Sequence, residues 1–183
     1  NACYQNLQGS MLGGQPSSYG GNTWNLMEFM TGKSNSDLGQ TNFTLFQNLS
    51  YDATSFYVDT WWRNLYRGIG ACNLAIAKIP GIIAPGLTDE AKTNLLAEAH
   101  TLRALYYFFL VRMYGDVPNV TKVPESVSGL NVSRSPAKNI YDSIILPDLL
   151  LAEQSTLPWQ DNTGLISLGA VKSILADVYL TYA

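Results

Sequence analysis

From Ser55 onward, apolar residues recur in alternating steps of four and three. Val58, Trp62, Leu65, Ile69, Cys72, Ile76 and Ile79 fall on one face of a predicted helix, which Pro80-Gly81 ends. A second run, Leu95, Ala99, Leu102, Tyr106, Phe109 and Met113, keeps the same stepping. Thr88 is the predicted N-cap of this helix, with Asp89 and Glu90 complementing the dipole in its first turn. Gly115 is expected to stop it, because left-handed backbone is cheap only without a side chain, and Pro118 prevents a restart. Ser135-Pro136 predicts the next start, and Tyr141, Ile144 or Ile145, Leu149 and Ala152 form the next face. Pro147 sits within it and is expected to kink or locally break the helix. Leu168, Val171, Leu175, Val178 and Tyr182 make the last face.

Residues 1–54 read differently. Tyr4, Leu7 and Met11 have helical spacing, the stretch GGQPSSYGGN (13–22) breaks it, and WNLMEFM (24–30) predicts a short apolar helix. Residues 31–54 then form a long polar loop with aromatics set into it, of a length that compact domains usually keep for function. No strand pattern competes. The expected fold is all-α, with tetratricopeptide-like helix pairs over 55–118 and 135–183 behind a variable segment of long irregular loops over 1–54.

Composition narrows the chemistry. An apolar fraction of 46% supports a real core, and a net charge of −3 without any basic block leaves no footprint for nucleic acid or an anionic membrane surface. No apolar run is long enough to predict a membrane-spanning helix. Cys3 and Cys72 form no CxxC pair, and Cys72, inside a helical pattern, is expected to act as a small apolar residue. The sequence opens at Asn1 and closes at Ala183 inside helical patterns, so a piece of a longer protein is expected.

His100 is the single histidine, with no Cys-His, Ser-His-Asp or HExxH arrangement around it. The carboxylates are not spaced like a calcium loop, and no glycine-rich cradle follows a strand. Neither an enzyme nor a metal or cofactor is expected. Glu98 and Arg103 lie five apart, roughly 140° around a helix, so each is expected to meet a neighbouring helix rather than the other. Asp116 is likewise read as architectural. Four Asn-x-Ser/Thr triplets, at Asn42, Asn48, Asn119 and Asn131, are read as chance.

At this point a resemblance enters. Ala97-Glu98-Ala99-x-x-x-Arg103-Ala104-x-Tyr106-Tyr107-Phe108, followed by Tyr114-Gly115-Asp116-Val117-Pro118, resembles the EAxxLRAxxYF and GDVP signature of the SusD/RagB outer-membrane nutrient-binding lipoproteins. Trp62-x-x-Leu65-Tyr66-x-x-Ile69-x-x-x-Asn73 upstream is similar to that family's preceding helix. Ile140-Tyr141 with Ile145-x-x-Asp148-Leu149-x-x-Ala152, and Gly169-Ala170-Val171 with Leu175-Ala176-x-Val178-Tyr179-Leu180, resemble the two that follow. Gly164-Leu165 departs from the Gly-Arg common in the family, and residues 1–50 match poorly. The resemblance implies the N-terminal part of an outer-membrane, surface-exposed lipoprotein. Such a protein captures oligosaccharides or other nutrients and delivers them to a TonB-dependent SusC-type transporter. Its membrane attachment would be a lipidated cysteine upstream, not Cys3.

Which residues would grip a glycan is a matter of chemistry alone. A sugar ring presents an apolar C–H face and a rim of hydroxyls, which suits an aromatic platform flanked by amides or carboxylates. Tyr19, Trp24, Phe43, Phe46 and Tyr51 lie among polar residues in 13–54. Tyr51 and Trp24 are the expected stacking residues, with Asp37, Asn48 and Phe46 near them; the bland alternative is that these rings pack the loop onto the helices. Two rival functions stay open here: a helical scaffold whose groove binds a peptide or protein partner, and a hydrolase of neutral sugars.

Overall fold

The computed structural model describes residues 2–11, 28–35, 41–123 and 132–183. They divide into two compact units, Asn1–Arg67 and Gly68–Ala183. Helix dominates both, as expected, and no helix among the described residues is long and apolar enough to cross a membrane.

The first unit contains α1 (Ala2–Met11), a helical turn at residues 28–30, α2 (Thr41–Gln47) and the opening turns of α3 (Phe56–Lys78). Helix α2 lies inside the stretch expected to be irregular. Its seven residues make two turns, too few to show a period, yet Phe43 and Phe46 three apart are both buried. On α3 the core takes Trp61, Leu65, Ile69 and Cys72 rather than the predicted Trp62. Trp61 is drawn inward by the rings of Phe46 and Tyr57, while Trp62 packs along its own helix on Tyr66, 5.0 Å away.

In the second unit α4 (Asp89–Tyr114) is central. Thr88 caps it by accepting the Ala91 N–H at 3.1 Å, and Gly115 ends it at φ +69. From Ala97 to Val111 burial goes almost all the way round instead of following one stripe, as expected of a helix enclosed by others. Predicted Leu95 stays 42% exposed at the open end. Gly68 lets Tyr106 approach: a Cβ there would lie 2.6 Å from that ring.

Beyond α4 the chain makes a two-residue strand β1 (Val117–Pro118), antiparallel to β2 (Arg134–Ser135), with Val117 opposite Ser135 and Pro118 opposite Arg134. The next helix is capped from across this ladder, where Asp116 Oδ1 accepts the Ala137 N–H at 2.9 Å. Then α5 (Ala137–Ile140), a π-turn (Tyr141–Ile145) and α6 (Leu146–Glu153) follow one another with helical backbone at each junction. The local break expected at Pro147 takes the form of this π-turn, which interrupts the α-helical hydrogen bonding just before the proline. The preceding turn widens so that the Leu146 N–H bonds Tyr141 five residues back, displacing the carbonyl a proline ring would strike. A wide turn also carries both Ile144 and Ile145 into the core, at 1% and 0% exposure. Helix α6 packs on α4 and on α7 (Leu168–Tyr182).

A buried polar network ties this unit together. Arg103 on α4 donates twice to Asp148 on α6, Nε to Oδ2 at 2.7 Å and Nη2 to Oδ1 at 2.8 Å, and Nη1 donates to Asn73 Oδ1 on α3 at 2.9 Å. Asp148 also meets His100 Nδ1, 2.6 Å from Oδ1. Asn73 Nδ2 reaches the Val120 carbonyl at 2.8 Å, and the Tyr107 hydroxyl accepts the Val120 N–H at 2.8 Å and donates to its carbonyl at 3.0 Å. Arg103, His100 and Asp116 are thus occupied by architecture. Cys3 is half-buried and Cys72 fully buried.

Candidate functional site

The site is built from the C-terminal end of α2. The Leu49 N–H bonds Phe46 O at 3.2 Å and the Ser50 N–H bonds Leu45 O at 2.9 Å, the paired closure of a Schellman turn. Leu49 takes the left-handed position at φ 52, where glycine is usual. This reversal turns the chain back over α2 and lays Tyr51 on Phe46, with ring centroids 4.6 Å apart and planes 12° from parallel.

Immediately after Tyr51 the backbone is fixed by Asp52. Its Oδ1 accepts the Thr54 N–H at 2.8 Å and the Thr54 hydroxyl at 2.7 Å, while the Asp52 N–H donates to Ser55 Oγ at 2.9 Å. These donors favour the carboxylate and hold the Asp52 pKa below its ordinary value; the Thr54 hydroxyl contributes most. The arrangement also starts α3, since the Ser55 carbonyl accepts the Asp59 N–H at 3.1 Å. Tyr51 therefore stands between two locked turns.

Phe46 is 1% exposed, wedged edge-on against Tyr57 and Trp61 with Tyr51 on its face. It has no face left for a ligand, and its part is to back Tyr51. Phe43 is buried too, 5.6 Å from Phe29. Tyr51 keeps a half-open surface and Asn48 is exposed on the same turn. Trp24, Asp37 and Tyr19 lie outside the described residues. The sequence reading missed Phe29, Tyr57 and Trp61 as partners of this cluster. Tyr57 and Trp61, spaced four apart on a helix, carried the signal. Burial pushes the Tyr57 hydroxyl up from its ordinary pKa.

In sum the chain offers helical frames whose buried charges serve packing, and an aromatic ring left half-open in a stiffened turn. Comparison with known proteins agrees with the all-helical class. The SusD-like family described as "starch-binding associating with outer membrane" matches residues 5–180, and the chain belongs to it. A SusD superfamily structure from Parabacteroides distasonis is 48% identical, with a TM-score of 0.80 over 87% of this chain and 34% of its own. A laminarin-binding SusD-like protein is 25% identical, with a TM-score of 0.79 over 98% of this chain and 38% of its own. The SusD-like protein P2 of Formosa agariphila is 34% identical over 126 residues, 68% of this chain and 24% of that protein. The chain thus spans about a quarter of the length of the curated relatives it matches.

Proposed function

We propose that this chain is the N-terminal helical part of a surface-exposed outer-membrane lipoprotein that captures oligosaccharide and passes it to a TonB-dependent SusC-type transporter without breaking bonds. Family membership supports the class, and the laminarin-binding relative supports a glycan as ligand. The observation that carries the reading is Tyr51, a half-open ring backed by buried Phe46 and followed by a locked turn. A preformed aromatic surface of this kind meets the C–H face of a sugar without first ordering a loop. Asn48 supplies an exposed amide on the same turn, and Trp24 and Asp37 complete the proposed set.

Titration of laminarin and soluble starch against the protein tests this. Tyr51→Ala is expected to weaken binding roughly threefold to tenfold, the range of one aromatic contact. Wild-type affinity in both Tyr51→Ala and Trp24→Ala would remove the site. Retention of a protein partner with no response to polysaccharide would favour the scaffold function instead.

A further inference from the structure

We propose a second glycan-contact point at Trp159, in the connection between α6 and α7 of the second unit. Its ligand class rests on the glycan reading above, but its location does not depend on Tyr51.

Trp159 is 61% exposed, an unusual position for the largest apolar side chain. Its backbone is nonetheless held. The Pro158 carbonyl accepts the Leu168 N–H at 2.9 Å and the Trp159 carbonyl accepts the Gly169 N–H at 3.1 Å. With the Ser167 side chain accepting the Ala170 N–H at 3.3 Å, the first three N–H groups of α7 are all satisfied. Gly169 is required by this closeness: a Cβ there would stand 2.9 Å from the Trp159 carbonyl oxygen and 3.9 Å from its Cε2. The indole therefore rests beside the bare start of α7. On the incoming side Leu157 is buried and Thr156 donates its hydroxyl to Asn94 Oδ1 on α4 at 3.1 Å.

The outgoing side is equally fixed. Asp161 Oδ1 accepts the Thr163 N–H at 2.7 Å, the Thr163 hydroxyl at 2.6 Å and the Leu165 N–H at 3.1 Å. Gln160 and Asn162 are exposed in the same turn, while its one acidic side chain has an oxygen engaged by three donors. An open indole on a stiff backbone, with exposed neutral amides in the same turn, fits the apolar face and hydroxyl rim of a neutral pyranose. An anionic ligand would find no counter-charge in this turn, which carries no Lys or Arg.

Affinity electrophoresis of the full chain in native gels containing laminarin or soluble starch is the test. Trp159→Ala is expected to weaken retardation roughly threefold to tenfold, with Trp159→Phe close to the unsubstituted protein. The Gln160→Ala/Asn162→Ala variant keeps the ring and is expected to weaken binding about twofold to tenfold through the lost amides. Unchanged retardation of the Trp159→Ala and the Gln160→Ala/Asn162→Ala variants overturns the platform. If Tyr51→Ala weakens binding in the same gels, the glycan function stands without it. If the unsubstituted protein is not retarded by either polysaccharide, both fall.

Discussion

Leu49 is the one non-glycine residue with positive φ among the described residues, and its side chain is 62% exposed. A left-handed backbone strains an L side chain, while an exposed leucine recovers little by burial. Leu49→Gly is therefore expected to raise stability by about 0.5–1 kcal/mol, the relieved strain less the extra freedom glycine gains when unfolded. A higher urea midpoint at unchanged slope would register it. This turn was not legible beforehand, because the residue that normally announces a Schellman closure is missing. Thr88 and Gly115 were legible for the converse reason. Their roles follow from local chemistry that any helix end demands. Tyr51 stands between these cases: its ring type suggested a platform, but only the fold shows that Phe46 lies buried against it.

Among elements, the most informative departure is the π-turn. A straight helix admits Ile144 or Ile145 to its buried face, and the sequence left the choice open. The widened turn admits both and settles the Pro147 problem at once. Helical spacing assumes one period throughout, so a single inserted residue is invisible to it. The partner of Arg103 was hidden for another reason. Spacing shows that Glu98 points elsewhere, but Asp148 lies 45 residues downstream, and only tertiary packing brings it within 2.7 Å. Because both charges are nearly enclosed, Asp148→Ala is expected to cost about 3–5 kcal/mol by leaving a guanidinium unpaired. Replacing both partners, as Arg103→Met with Asp148→Leu, is expected to recover much of that loss. Thermal unfolding of the three variants gives the comparison. A small loss in Asp148→Ala would mean that water reaches Arg103.

For the chain taken together, stability against pH follows from a few groups. Burial pushes the Tyr107 hydroxyl up to about 12 from an ordinary 10.0, so the folded state favours its neutral form. Its contribution is complete below 10.0 and disappears as pH climbs through about 12. Tyr141 is raised in the same direction by burial. Asp52, Asp142 and Asp161 are lowered, chiefly by hydrogen bonds from Thr54, Lys138 and Thr163 respectively. Their contributions are present above 3.8 and fade as pH falls through the depressed values. The melting temperature is accordingly expected to be flat from about pH 5 to 9 and to drop beyond pH 10. Tyr107→Phe should flatten the alkaline drop while lowering stability at neutral pH by about 1–3 kcal/mol, since the Val120 N–H loses its acceptor. An unaltered alkaline limb in that variant would assign the loss to other tyrosines.

The ladder of Val117–Pro118 with Arg134–Ser135, closed on one side by the Asp116 cap and on the other by the Tyr107 grip on Val120, pinches two distant points of the backbone together. Whatever runs between those points leaves and returns at a fixed gate. Doubling the length of such an excursion adds only about 0.6 kcal/mol of closure entropy. Inserting residues between Val123 and Val132 is therefore expected to leave the surrounding helices undisturbed.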